Sequence, residues 1–177
     1  GSHGMLCCFS DVMNYIHWTH ASPTFTNFEL DSERFNKYTF YRAILENTAL
    51  LVRGHIELVK EATGNEPDEL IFAGGASKCS LWAQIVADVT GKNVHIPKVK
   101  EATALGAAVL AGYGVGIYPS IAEGAKRVVK WDKTFSPNPD NKAVYDQLYV
   151  QWKDVYKSQL ELAEEGKVKS MWRAPGL

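Results

Sequence analysis

The residues of this chain best placed to do chemistry surround a glycine pair. The stretch Ala73-Gly74-Gly75-Ala76-Ser77-Lys78 separates a strand-like segment, Glu69 to Ala73, from a helix-like one. Glycines at such a turn allow a ligand to approach the main chain, because no Cβ stands in the way. The amides that open the next helix can then face an anion or the edge of a ring. The turn is a candidate ligand site, although a purely structural turn explains these residues alone equally well.

Two common phosphate-binding motifs are absent from this turn. Lys78 follows Gly-Gly-Ala-Ser, so the spacing of a P-loop is not met. The G-x-G-x-x-G fingerprint of dinucleotide-binding folds is missing as well. Cys7, Cys8 and Cys79 form no C-x-x-C pair, and the histidines lack metal-ligand spacing. We therefore expect no metal site and no disulfide framework, but buried thiols in a reducing cytoplasm.

Helix and strand patterns alternate around the turn. The pattern predicts strands over 6–9 and 25–30, followed by a long helix that begins at a cap at Asp31, Ser32 or Asn36 and ends at Gly64. A strand over 69–73, a helix that ends at Gly91 and a strand over 94–96 come next. Further helices are predicted to begin near Glu101, after Pro119 and near Asn141. The long helix is predicted to bury Tyr38, Tyr41, Leu45, Thr48, Val52, Ile56 and Val59. The last helix is predicted to turn Val144, Leu148, Trp152 and Val155 inward. This alternation predicts a layered α/β fold.

Composition limits the classes of function. The chain has 177 residues, of which 46% are hydrophobic and 22% charged, as expected of one globular domain. Its 19 basic and 20 acidic residues give no reason to expect nucleic acid or an anionic membrane as partner. No apolar run approaches the ~20 residues that span a bilayer. The opening Gly1-Ser2-His3-Gly4 is interpreted as the remnant of a removed tag, and residues 5–177 as the domain.

Three stretches, in order and at matching separations, resemble the FGGY family of carbohydrate kinases. Phe72–Gly91 is similar to the adenosine motif of that family, and Glu101–Ala108 to its second C-terminal hallmark. Arg42–Asn47 resembles the helix inside the family's C-terminal signature. Asn27 stands where the signature usually has glycine, and Cys79 replaces an asparagine of glycerol kinases.

The resemblance implies an RNase H-like architecture like that of actin and hexokinase, with a mixed sheet flanked by helices. This chain would be the C-terminal, ATP-binding half. The implied nucleotide neighbours are Gly74, Gly75, Ala76, Ser77 and Cys79. Mg²⁺ would be held mainly by the phosphates and the N-terminal half, which would also supply the catalytic aspartate. The helix from Glu101 would pack its small face behind the turn, with Glu101 buried or capping, and Gly106 would permit a close approach.

The aspartates of this chain, among them Asp11, Asp68, Asp88 and Asp132, are expected to be caps or solvated charges. The chain alone is therefore predicted to be inactive. Its expected partners are ATP, a sugar-like substrate and its own N-terminal domain.

Two further segments narrow the resemblance to one subfamily, whose acceptor is an open-chain five-carbon dihydroxy diketone. These segments are Phe9–Asp11 with Trp18–Phe25, and the ending Ser170–Leu177. A kinase of another pentulose or a polyol, similar to xylulokinase, stays open, because most sugar-facing residues would lie in the missing half. A nucleotide-binding or dimerisation module without catalysis is a second alternative.

Overall fold

A three-stranded mixed sheet, a two-stranded antiparallel sheet and five α-helices make up most of the part of the chain that the structure describes. The computed structural model describes residues 1–9, 19–172 and 176. Its elements are β1 (Leu6–Cys8), β2 (Thr24–Thr26), α1 (Lys37–Thr63), β3 (Glu69–Ile71), α2 (Ser80–Thr90), β4 (Asn93–Pro97), α3 (Ala102–Gly114), α4 (Ile121–Val128), β5 (Trp131–Phe135) and α5 (Lys142–Glu164). Strands β3 and β4 are parallel, β4 and β5 antiparallel, and β1 pairs separately with β2 in antiparallel fashion. The predicted α/β class is confirmed.

The helix boundaries follow local capping chemistry. The side chain of Asn36 accepts a hydrogen bond from the amide of Tyr38 and begins α1. Gly64 and Gly91 adopt the left-handed conformation, with φ of 72° and 68°, and end α1 and α2. Asp31 caps an earlier turn instead, where it accepts from the amides of Glu33 and Arg34. The predicted ends of α1 and α2 are therefore confirmed, with Asn36 as the cap.

The predicted buried face of α1 is confirmed at Leu45 but wrong at both ends of the helix. Tyr38 and Tyr41 are 72% and 58% exposed, and Val59 is also exposed. The buried positions of α1 are Thr39, Ala43, Leu45, Glu46, Asn47, Ala49, Leu50 and Leu51. The helix packs against both β1 and α2, so it is covered from more than one side over its middle. Neighbouring positions are buried together there, which a single amphipathic stripe does not describe.

Strand β5 was missed, and three other strands, β1, β2 and β3, are shorter than predicted, β1 by one residue. Four of the five residues of β5 are exposed, and its centre is the charged pair Asp132 and Lys133. Pairing with β4 rather than burial of its own side chains defines this strand. Strand β2 ends before Asn27, whose φ of 61° breaks the extended conformation. Strand β3 ends at Ile71, two residues earlier than predicted.

The main core lies between α1, α2, β4 and α5. It includes Leu50 of α1, Ile85 of α2, Ile96 of β4 and Trp152 of α5, each at most 3% exposed. A smaller cluster beside it is formed by Met5, Cys7, Phe35 and Ala43. Leu148 and Trp152 of α5 are buried as predicted, whereas Val144 is exposed, against the prediction. Tyr145 and Tyr149 also point inward on α5.

The first four residues pack into the domain. Ser2 is 2% exposed, and its hydroxyl donates to the carboxylate of Glu46, which is itself buried. His3 and Gly4 have φ of 55° and 83°, and they form a tight turn closed by a bond from the amide of Met5 to the carbonyl of Ser2. The interpretation of residues 1–4 as a tag remnant stays a prediction.

Helix α3 is apolar and yet mostly exposed. It carries no charged residue, but only Val109 and Gly112 are buried. A Cβ at Gly106 would meet nothing within 4 Å, so the predicted close approach at this glycine is wrong. Close packing occurs instead at Gly112 and Gly124, where a Cβ would lie 2.6 Å and 2.8 Å from the ring of Tyr118. Glu101 is exposed and makes no side-chain cap, against expectation.

Candidate nucleotide site

The glycine turn is closed by its own hydrogen bonds. Gly74 has φ 81° and ψ −171°, a conformation that side-chain-bearing residues rarely adopt. Its carbonyl accepts from the amide of Ser77 at 3.2 Å and from the hydroxyl of Ser77 at 2.7 Å. Its amide donates to the carbonyl of Lys100 at 2.8 Å, which ties the turn to the loop after β4. Residues Gly75–Lys78 form a single turn of 3₁₀ helix that leads into α2.

The front of this turn is open. A Cβ placed on Gly74 or on Gly75 would meet no atom within 4 Å. A flat ring or a ribose can therefore reach the main chain of both residues without displacing protein atoms. The adenosine end of ATP fits this arrangement, because it needs an accessible backbone rather than a charged side chain.

The five predicted nucleotide neighbours lie together in the turn, but their side chains differ in availability. Ser77 is 6% exposed and its hydroxyl is used inside the turn, so its side chain supports the main chain. Cys79 is half-buried just before α2 and makes no side-chain cap. Its amide donates to the carbonyl of Ala76 at 3.0 Å. Contact of a nucleotide with any of the five stays a prediction.

An aromatic pair fixes the turn against α1. The rings of Phe72 and Trp82 meet edge to face, with centroids 5.7 Å apart. The indole Nε1 of Trp82 donates to Thr48 Oγ1 at 2.7 Å, and that hydroxyl donates in turn to the carbonyl of Leu45. The strand before the turn and the helix after it are thus held to one turn of α1. No local sequence pattern indicates this contact, because Thr48 and Trp82 are 34 residues apart.

The aspartates near this end of the sheet are engaged in structural contacts. The hydrogen bond from Lys100 lowers the pKa of Asp132, with the charges of Lys100, Lys133 and Lys98 adding to the effect. Asp88, near the end of α2, was expected to be a cap or a solvated charge, but it is buried. It accepts from Gln84, from the amide of Asn138 and from the side chain of Asn141, at 2.7 to 2.8 Å. Asp88 therefore anchors the start of α5 to α2, and Asp11 lies outside the described residues.

Two of the three cysteine thiols are buried. Cys7 and Cys8 are buried in β1, and burial raises the pKa of each to about 12.

In the part of the chain that the structure describes, no three His, Cys, Asp or Glu side chains are grouped as a metal site requires. Within these same residues, no helix is both long enough and apolar enough to cross a bilayer.

Comparison with known proteins identifies the family. The profile of the C-terminal domain of the FGGY family of carbohydrate kinases matches residues 7–115. This chain belongs to that family. Among curated FGGY relatives, the autoinducer-2 kinase of Salmonella paratyphi A is 49% identical across all 177 residues, the first four included. The chain spans 33% of the length of that relative.

Solved FGGY kinases share this fold. The xylulose kinase from Rhodospirillum rubrum matches 95% of this chain and 32% of its own, with a TM-score of 0.72 and 25% identity. The Plasmodium falciparum glycerol kinase with ADP matches 90% of this chain and 31% of its own, with a TM-score of 0.70 and 21% identity. The predicted RNase H-like class is confirmed.

Proposed function

We propose that this chain is the C-terminal, nucleotide-binding domain of a kinase that uses ATP to phosphorylate a hydroxyl of autoinducer-2, an open-chain dihydroxypentanedione. The observation that carries the proposal is the extent of the match to relatives of that name. Their similarity covers all 177 residues, whereas the family profile stops at residue 115. The match therefore includes both segments that set one subfamily apart, around residues 9–25 and 170–177.

The glycine turn receives the adenosine end of ATP in this proposal. Support comes from the open space in front of Gly74 and Gly75 and from the hydrogen bonds by which Ser77 holds the turn. Because these bonds exist without a ligand, little ordering is needed when the nucleotide arrives. ATP supplies the phosphoryl group, and its transfer depends on positioning and on neutralising charge with Mg²⁺. Residues outside this chain, together with the phosphates, would hold that ion.

The exposed apolar surface of α3 supports the proposal that this domain packs against the rest of a longer polypeptide. An apolar groove of about 350 Å³ separates α3 and α4 from the sheet, and Ile71, Leu110 and Trp131 along it are 67%, 54% and 46% exposed. Apolar surface of this kind is normally covered by other protein. The rest of the kinase would cover it and bring the catalytic aspartate and the phosphate-binding loop. The free thiols fit the reducing cytoplasm in which we place the enzyme.

A comparison of acceptor substrates with the full-length kinase tests this function. The enzyme is given ATP, Mg²⁺ and, separately, autoinducer-2, xylulose, gluconate or glycerol, and phosphorylated products are quantified by mass spectrometry. We expect kcat/KM to be highest for autoinducer-2. A higher value for xylulose or a polyol would instead favour the pentulose or polyol alternative. Absence of phosphorylation with all four would favour a non-catalytic module.

A further inference from the structure

The carbonyl of Lys100 is a shared acceptor beside the glycine turn. It accepts from the amide of Gly74 at 2.8 Å and from the amide of Ala102, the first residue of α3, at 2.9 Å. Gly74 needs such support, because its φ of 81° and ψ of −171° lie in a region that is open essentially to glycine alone. The two hydrogen bonds from Ser77 reach the carbonyl of Gly74, whereas the bond to Lys100 fixes its amide.

The side chain of Lys100 fixes the position of that carbonyl. Its ammonium group donates to the carbonyl of Pro97 at 2.6 Å and to the carboxylate of Asp132 at 2.8 Å. The first bond folds the loop after β4 back onto the end of that strand, and the second joins the loop to β5. The side chains of Lys100 and Asp132 are 21% and 41% exposed, so salt screens the pair less than it screens fully exposed charges.

A β-bulge places Asp132 at this lysine. The antiparallel register of β4 and β5 is regular up to Ile96, so the next pair in a regular ladder would be Pro97 with Asp132. Pro97 pairs with Trp131 instead, which leaves Asp132 as an extra residue on β5. A bulge of this kind changes the direction of a side chain relative to a regular strand. The residue left out of the ladder is therefore the one whose carboxylate bonds Lys100.

Two neighbouring lysines separate the effect of position from the effect of charge. Lys98 and Lys133 are exposed, and their charges add to the lowering of the Asp132 pKa. Lys100 bonds the same carboxylate directly and, through its own carbonyl, holds Gly74. A need for positive charge near Asp132 would be met by either neighbour. The main-chain link to the glycine turn distinguishes Lys100.

We propose that Lys100 and Asp132 are positioning residues for the nucleotide, because they hold the loop whose carbonyl fixes the amide of Gly74. The inference rests on the proposed kinase function and on the glycine turn as its nucleotide site. The pair acts through the main-chain bond to Gly74 rather than by contact with ATP, so it affects the nucleotide and not the acceptor. It also gives strand β5, whose side chains are mostly exposed, a role at the site.

The test measures steady-state kinetics of the full-length kinase with Lys100→Met, which keeps an unbranched side chain and removes the ammonium group. We expect the KM for ATP to rise about threefold to tenfold, since the loss of one net hydrogen bond at the turn weakens binding by a factor of that size. The KM for autoinducer-2 should stay within about twofold of wild type, because the lost interaction is local to the nucleotide. Lys100→Arg keeps a charged donor and should retain most of the affinity for ATP. Unchanged KM for ATP in folded Lys100→Met, or an equal rise in both KM values, would overturn the proposal.

A double-mutant cycle tests whether the two residues act together. Asp132→Ala should raise the KM for ATP less than Lys100→Met, because Lys100 keeps its bond to Pro97. The double variant should match Lys100→Met alone, since both changes break the same link. Effects that multiply independently would refute the pair. Asp132→Ala also decides the question if Lys100→Met does not fold.

A matched control and a second ligand exclude a direct phosphate contact. Lys98→Met removes the same charge from an exposed side chain and should leave the KM for ATP within about twofold of wild type. Adenosine, measured as a competitive inhibitor against ATP, should lose affinity in Lys100→Met as ATP does. An equal effect of Lys98→Met, or a loss for ATP without a loss for adenosine, would assign Lys100 to the phosphates and contradict the positioning role. Failure of the wild-type enzyme to phosphorylate autoinducer-2 would instead count against the proposed function, and the same ATP and adenosine measurements would then use the acceptor that is phosphorylated.

Discussion

The nucleotide turn is shaped by what its individual residues do with their hydrogen-bonding groups. Ser77 donates both its amide and its hydroxyl to the carbonyl of Gly74, and Gly74 donates to Lys100. These bonds leave the outward surface of Gly74 and Gly75 bare. The sequence located the turn correctly, because a glycine pair between a strand and a helix is a local signal. It did not reveal that Ser77 is a support rather than an available contact, since that depends on which way the hydroxyl points in three dimensions.

Cys79 provides a chemical reporter at this turn. We expect a thiol-alkylating reagent at pH 8 to modify Cys79 of the full-length kinase, and ATP or adenosine to slow that modification by covering the turn. Cys7 and Cys8 should stay unmodified in the folded protein, because burial keeps them protonated with pKa values of about 12. Peptide mass spectrometry resolves the three sites. Equal modification of Cys79 with and without saturating nucleotide would count against contact at this position.

At the scale of whole elements, features set by neighbouring residues were easier to predict than features set by tertiary packing. Asn36, Gly64 and Gly91 act on the nearest few residues, so the ends of α1 and α2 were predictable from sequence. The buried faces of α1 and α5 were predicted only in part, because they depend on which elements pack on each side. Strand β5 carries no hydrophobic pattern of its own and exists through pairing with β4.

Two glycines of α3 give a matched pair of stability predictions. Gly106→Ala adds a methyl group into open space and should stabilise the chain by up to about 1 kcal/mol through helix propensity. Gly112→Ala places its Cβ 2.6 Å from the ring of Tyr118 and should destabilise the hairpin of α3 and α4 by about 1 to 3 kcal/mol. Urea denaturation of this chain measures both. Equal effects of the two substitutions would show that the Tyr118 contact does not constrain α3.

At the scale of the whole molecule, we propose that this domain holds one side of a nucleotide site and that the rest of the kinase completes it. The chain spans 33% of its autoinducer-2 kinase relative, and its apolar α3 surface is exposed. The turn offers the adenosine moiety backbone hydrogen bonds worth about 0.5 to 1.5 kcal/mol each. Water exclusion around the phosphates would require the rest of the enzyme to close over them.

The chain by itself is therefore expected to bind nucleotide weakly. Ligand ordering opposes the few available contacts, so affinity should be millimolar or weaker, on the order of −4 kcal/mol at best. Adenosine should bind nearly as well as ATP, because the phosphates would remain in solvent, and no phosphorylated autoinducer-2 should form. Ligand-observed NMR with both compounds measures this. Micromolar binding of ATP with a large preference over adenosine would reveal a phosphate site within this domain.

The most direct test of the central claim is the KM for ATP of Gly75→Val in the full-length kinase. A Cβ at Gly75 meets no protein atom within 4 Å and Gly75 has no left-handed φ, so valine should be accepted by the fold while it fills the space assigned to adenosine. Circular dichroism checks folding, and Gly54→Ala, a glycine of α1 beside Tyr149, serves as the control. The account predicts a KM for ATP raised on the order of tenfold or more, with the autoinducer-2 KM nearly unchanged. An unchanged KM for ATP in the folded variant would contradict it and make the glycine pair a structural turn only.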